Sequence, residues 1–214
     1  MNPKVKNILE WVYCVIIAIV LALLVRNFVG TPTIVKQRSM YPTLKPDQRL
    51  ILNRLAITFH KDLKRGDIIT FEAPSVSRIE LSDADMSNPV AIYNNEPKGI
   101  LKRFVYYGLE WGKVTYIKRV IALPGEHIEI KDNKVYINGE EYKESYLDSS
   151  VATTAANGAF TDLIVPDGYI FAMGDNRPQS TDCRSFGCIP ISKVEGKVAL
   201  RFWPLSTWGN PNKK

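Results

Sequence analysis

The hydropathy of the chain changes once, sharply, near its beginning. Trp11 to Val25 carries no charge, and the apolar character extends to Ile8 and Val29, with Glu10 and Arg26 reaching toward the two interfaces. As a helix rising ~1.5 Å per residue, residues 8–29 would reach roughly 33 Å, enough to cross a bilayer core. The expected division is a short cytoplasmic tail at 1–7, a transmembrane anchor at 8–29 and an extracytoplasmic folded part at 30–214. A cleaved signal peptide is the competing reading, because Lys4 and Lys6 precede the run. Arg26 follows directly, with no Ala-x-Ala-like site behind it, which favours a retained anchor.

Beyond the anchor the hydrophobic period is mostly two. Short runs of Val, Ile, Tyr and Phe, punctuated by Gly, Pro, Asn and Asp, predict strands at 49–52, 67–71, 115–121, 127–130, 134–137, 168–173 and 194–202. Lys131-Asp132-Asn133 predicts a hairpin, and Asn138-Gly139 a second turn just after it. The pattern is that of a mainly β fold behind an N-terminal helix. Two stretches, Pro74 to Gly112 and Glu140 to Asp167, depart from it and are expected to be loops or a small inserted cap.

Composition narrows the class. With 45% hydrophobic residues, 214 residues suffice for one compact domain, with room for a small subdomain. The net charge of +6 is scattered rather than gathered, and no nucleic-acid motif accompanies it, so a lipid surface is a better partner than DNA or RNA. The flanking charges, Lys4 and Lys6 on one side against Arg26, Lys36, Arg38 and Lys45 on the other, by themselves argue against sending the C-terminus outward. Long domains cross a membrane largely regardless of such counts. Cys14 lies in the apolar run, while Cys183 and Cys188 are close enough either to bridge or to remain two free thiols.

A serine hydroxyl is a poor nucleophile until a neighbouring base takes its proton. The chain has two histidines, His60 and His127, and no Gly-x-Ser-x-Gly elbow, so a histidine triad is not expected. The other route is a desolvated, neutral lysine, its pKa lowered toward 7–8. Lys118 has apolar neighbours on both sides in Tyr116-Ile117-Lys118-Arg119-Val120-Ile121, and since Arg119 must face the other way, one of the two charges is expected inside. On pattern alone, an ordinary lysine on the polar side of an amphipathic strand is the simpler account. Ser39 could likewise mark no more than a turn beside Pro42 and Pro46.

The ordered set carries more than its parts. Ser39-Met40-Tyr41-Pro42-Thr43-Leu44, Arg65-Gly66-Asp67-Ile68, Tyr116 to Glu126, and Gly174-Asp175-Asn176-Arg177 through Ser180, Asp182, Arg184 and Phe186-Gly187 closely resemble the sequence boxes of bacterial type I signal peptidases. The resemblance covers nearly the whole chain except 74–112 and 140–167. It implies an all-β catalytic domain with Ser39 as nucleophile and Lys118 as general base. It further implies that Ser180 orients the Lys118 amine, that the Ser39 amide donates to the oxyanion, and that Met40 helps line the substrate pocket. Asp175 with Arg119, and Asp182 with Arg184, would be structural ion pairs; exposed surface pairs worth under about 1 kcal/mol are the alternative.

The resemblance also implies a substrate, the signal peptide of an exported pre-protein, lying extended beside a strand and cut after Ala-x-Ala-like ends. Three positions depart from the family pattern. Gln37 stands where Gly or Ser is common, leaving no hydroxyl donor to the oxyanion; Gln179 stands for Asn; Cys183 stands for Ser and offers oxidation an inhibitory route. Trp203 and Trp208 would either dip into the membrane interface or close the core. No metal-ligand constellation is visible and no cofactor is expected. A processing peptidase for one dedicated substrate, or a membrane-tethered β-domain that binds exported chains without cutting them, are the alternatives.

Overall fold

The computed structural model describes residues 3–58, 63–148, 150–154 and 158–212. Helix α1 (Pro3–Leu24) runs on into a π-helical turn at Val25–Val29. Lys4–Val29 is long and apolar enough to cross a membrane, and its most apolar window is not buried against the rest of the protein. Pro3 sits at the helix start, where its missing N–H costs nothing, so the expected division at residue 8 falls inside a continuous helix.

Eleven strands follow among the described residues: β1 (Gly30–Ile34), β2 (Arg49–Asn53), β3 (Ile68–Glu72), β4 (Thr115–Ala122), β5 (His127–Lys131), β6 (Lys134–Ile137), β7 (Glu140–Glu141), β8 (Asp162–Ile164), β9 (Tyr169–Met173), β10 (Ile189–Pro190) and β11 (Val194–Trp203). They form a seven-stranded sheet in the order β1-β2-β11-β3-β4-β9-β10 and a four-stranded sheet in the order β7-β6-β5-β8. Each strand expected from the period-two pattern is present, shifted by a residue at most. Asp132 and Asn133 take φ values of 50° and 62° in the β5–β6 turn, as a tight hairpin requires, and Asn138 and Gly139 take 52° and 83° in the next. The strands that hydropathy missed are short or, like β1, hold a proline at a sheet edge, where a missing N–H is tolerated.

Two apolar clusters hold the sheets. The larger joins them, with Ile69, Phe71, Val120 and Phe171 from one meeting Ile128, Val135 and Leu163 from the other. The smaller gathers Val35, Met40, Leu44, Leu50, Leu52, Ile68 and Val198, with Ile117 against it. Met40 and Leu44 are fully buried there. At about 2 kcal/mol each, such side chains pin the loop that carries them.

The two irregular stretches are tied down differently. In 74–112, a helical turn at Ile100–Arg103 continues as a π turn at Phe104–Gly108. Glu110 then pairs with Arg26 at 2.8 Å and with Arg54. The 140–167 stretch is not a free cap: β7 and β8 are the two outer strands of the smaller sheet. Among its described residues, Thr153 accepts a hydrogen bond from Arg177 and Phe160 N donates to Arg184 O at 3.0 Å, both arginines lying on the segment that follows β9.

Candidate active site

The loop between β1 and β2 is closed at its base by Val35 N donating to Gln48 O (2.9 Å) and Asp47 N donating to Val35 O (2.8 Å). With Met40 and Leu44 drawn into the small core, Ser39 is left at the loop's inner edge, 6% exposed. β4 brings Lys118 to it. The two strand neighbours that fix this register are Ile69 on β3 and, one residue on, Met173 on β9 opposite Arg119. Lys118 is 2% exposed, and its Nζ donates to Ser39 Oγ at 2.8 Å. A neutral amine would accept the hydroxyl proton along the same line.

Burial pushes the Lys118 amine down from 10.5 to about 8, against the pull of the Asp182 carboxylate and with a smaller push from Arg184 in the same direction. That shift disfavours the ammonium by about 3 kcal/mol.

Both ion pairs flanking the pair are buried and two-pronged. Arg119 Nε and Nη2 donate to Asp175 at 2.9 and 2.7 Å, and its Nη1 donates to Gly66 O at 2.8 Å. The Tyr146 ring covers the same guanidinium at 3.9 Å. Arg184 Nε and Nη2 each donate to Asp182 at 2.8 Å. Burial works to raise the Asp182 carboxyl, but Arg184 outweighs it and holds it below the usual range. Asp182 also accepts the Gly174 amide at 3.0 Å. These are not surface pairs, and breaking one would leave a buried charge, at about 3–5 kcal/mol.

Gly174 permits the assembly. A Cβ there would lie 2.2 Å from Ser180 Oγ and 2.3 Å from the Ser39 carbonyl oxygen. Beyond it, the Asn176 amide donates to Ser39 O at 3.0 Å, and Asn176 Nδ2 donates to Arg38 O at 3.1 Å. The Gly174–Asn176 loop thus grips the backbone of the Ser39 loop directly. Ser180 is 8% exposed, and its Oγ has no hydrogen-bond partner. In this structure Lys118 meets Ser39 rather than Ser180.

Other side chains singled out in the sequence take the following places. Arg119 and Lys118 are both buried, at 2% each, rather than one of the two. Arg119 reaches its carboxylate, while Lys118 has a hydroxyl and the face of Tyr116 at 5.3 Å. Cys183 and Cys188 are unbridged and buried. Burial holds the Cys183 thiol well above its ordinary range, so it lacks the thiolate and the exposure an oxidation switch requires. His127 pairs on the surface with Asp162 at 2.7 Å; His60 lies outside the described residues. Trp203 and Trp208 are 49% and 60% exposed, so they do not close the core.

A cleft of about 300 Å³ lies between residues 33–37 and 113–117, segments that end two residues before Ser39 and one before Lys118. Val35, Gln37, Thr70, Tyr116 and Ile117 are among the residues that line it. Met40 is not among these residues; it packs in the small core below.

Sequence reasoning missed Arg177, which is fully buried. Its guanidinium donates to Gly174 O at 3.1 Å and to Glu144 Oε2 at 2.7 Å, and also reaches Thr153. Arg177 lies within a motif already singled out, but nothing in the pattern around Glu144 and Thr153 marks them as its partners. Among the described residues no cluster of three or more His, Cys, Asp or Glu could hold a metal ion.

A buried serine hydroxyl hydrogen-bonded to a desolvated lysine is an arrangement in which a nucleophile and a base can work together. A family model described as signal peptidase, peptidase S26, matches residues 8–203. The chain belongs to this family, and is a peptidase. It is 32% identical to signal peptidase I T of Bacillus subtilis, over 96% of this chain and 90% of that one. It is 33% identical to probable signal peptidase I-1 of Synechocystis, over 90% and 81%. Among solved structures, a signal peptidase I from Enterococcus faecalis aligns at 28% identity with a TM-score of 0.42, over 65% of this chain and 98% of that one.

Proposed function

We propose that this protein is a membrane-anchored endopeptidase that removes signal peptides from exported pre-proteins, with Ser39 as nucleophile and Lys118 as general base. The observation that carries the assignment is the 2.8 Å hydrogen bond between the buried Lys118 amine and the Ser39 hydroxyl. Neutral Lys118 takes the hydroxyl proton as Oγ attacks the scissile carbonyl, and returns it to the departing amine. Ser39 becomes an ester, which water then hydrolyses with Lys118 again as base. The Ser39 amide donates to the oxyanion, with the Gln37 amide or a backbone group as the further donor. Ser180, unpartnered while Lys118 rests on Ser39, orients the amine once the hydroxyl turns to substrate. Asp175–Arg119 and Asp182–Arg184 brace the strands behind it. Met40 shapes the cleft from beneath.

The substrate lies extended along β4, its carbonyl at Ser39 and alternate side chains directed into the cleft. On this reading the cleft takes Ala-sized groups at the first and third residues before the cut. Residues 1–7 remain in the cytoplasm, the anchor crosses the plasma membrane and residues 30–214 work outside, where the precursor's cleavage site emerges. The test is a panel of precursors in detergent, varied at these two positions and scored by N-terminal sequencing. Cleavage after Ala-x-Ala that is blocked by Leu or Phe at either position supports the reading. Binding without cleavage would instead make the protein a tether for exported chains.

A further inference from the structure

The 74–112 stretch, which the family resemblance does not describe, holds several strongly exposed apolar side chains outside the anchor. Ile100 is 91% exposed, Leu101 76%, Phe104 52% and Trp111 77%, with the exposed cations Lys102 and Arg103 among them. This surface is fastened to the end of the anchor. Asn27 Nδ2 donates to Gly108 O at 3.3 Å, and Arg26 pairs with Glu110 at 2.8 Å. From Gly108 back to Ile100 a helical path covers only ~12 Å. If the uncharged run Trp11 to Val25 fills the bilayer core, Arg26 and Asn27 stand at headgroup depth, and so does everything within a dozen ångströms sideways of them.

We propose that residues 99–111 form a second membrane-contacting element, which lies in the headgroup region beside the anchor. Ile100, Leu101, Phe104 and Trp111 face the acyl boundary, while Lys102 and Arg103 meet anionic headgroups. Its occupant is lipid rather than a protein partner because it continues a surface already committed to lipid, and because Lys102 and Arg103 stand among the exposed apolar side chains, a mixture that suits an interfacial segment. The consequence for catalysis rests on the function proposed above; the lipid contact does not. Thr115 opens β4 four residues after Trp111, and Lys118 follows three residues on, about 10 Å along the strand. Seating the segment would therefore hold the near end of the cleft at the bilayer surface, within a few extended residues of the Ser–Lys pair.

The test uses the full-length protein in liposomes of phosphatidylcholine and phosphatidylglycerol. Leu101→Cys in a Cys14→Ala background carries an environment-sensitive fluorophore, since Cys183 and Cys188 are buried. The expected result is a blue-shifted emission quenched by lipids bearing a shallow nitroxide and not by aqueous iodide. Quenching by iodide overturns the proposal. So does protection from both quenchers, which would mean that protein covers the surface. In parallel, Ile100→Ser/Leu101→Ser/Phe104→Ser should cut a liposome-held precursor several-fold more slowly, with cleavage of a soluble peptide in detergent unchanged. Equal loss on both substrates means damaged folding, and the fluorophore result then decides. A native chain that cuts neither substrate refutes the proposed function and leaves the quenching result to stand or fall by itself.

Discussion

If Lys118 is the base, its titration governs the rate, and the pH profile can be worked out from the site. Burial lowers the amine from 10.5 to about 8. Only the neutral form can take the Ser39 proton, so kcat/KM follows the deprotonated fraction and rises with pH. About a tenth of the enzyme is competent at pH 7 and about nine tenths at pH 9, a rise of about tenfold followed by a plateau. A solvated lysine near 10.5 would instead give about a hundredfold rise over the same interval, still climbing at pH 10. The assay is initial-rate cleavage of an internally quenched Ala-x-Ala peptide in detergent at constant ionic strength, with Ser39→Ala subtracted as background. Half-maximal activity near pH 8 supports the mechanism. A profile that climbs without levelling to pH 10, or one with a midpoint near 6.5 that disappears in His127→Ala, refutes it.

Other consequences can be checked on the same protein. The unfolded chain binds the Lys118 proton between pH 8 and 10.5 when the folded chain has released it, so the cost of burying the amine is fully present below pH 8 and fades as pH rises through that window. Lys118→Met should therefore be more stable by up to about 3 kcal/mol at pH 7, with no gain above pH 10.5, as read by urea unfolding. Gly174→Ala places a methyl against Ser180 and the Ser39 carbonyl; kcat should fall by roughly a hundredfold, with KM changing less. Glu144→Ala strips the carboxylate from the fully buried Arg177, at about 3–5 kcal/mol and a loss in Tm of roughly 10 °C by scanning calorimetry. Ser180→Ala removes a hydroxyl with no partner, so stability should hold or rise slightly while kcat falls; equal losses in both would deny Ser180 a role in orienting the base.

β2, β5 and β6 were legible because half-buried strands must alternate, β3, β4 and β9, buried along most of their length, as short β-branched and aromatic runs between turn signals, and the turns because a tight hairpin needs left-handed residues such as Asp132, Asn133 and Asn138. The nucleophile and base were legible only through the ordered set of boxes: by itself Lys118 reads as a surface lysine, since the pattern of β4 does not reveal that the Ser39 loop meets its side chain. The strand pattern likewise puts only one of Lys118 and Arg119 inside; the Asp175 carboxylate, which the resemblance and not the pattern pairs with Arg119, lets both be buried. Glu144 and Thr153 were invisible because a partner for a buried arginine depends on where a long connection happens to pass, which hydropathy does not encode. The exposed surface at Ile100 to Trp111 looked like an ordinary loop; its fastening to Arg26 and Asn27 appears only in three dimensions.

The most direct test of the Ser39–Lys118 mechanism is to mix a precursor bearing an Ala-x-Ala site with the native chain, Ser39→Ala and Lys118→Ala, and to sequence the N-terminus of the product. The mechanism predicts one cut after the second Ala by the native chain, none by either variant, and undiminished cleavage by His60→Ala and His127→Ala. Cleavage at that site surviving in Ser39→Ala or Lys118→Ala would contradict it.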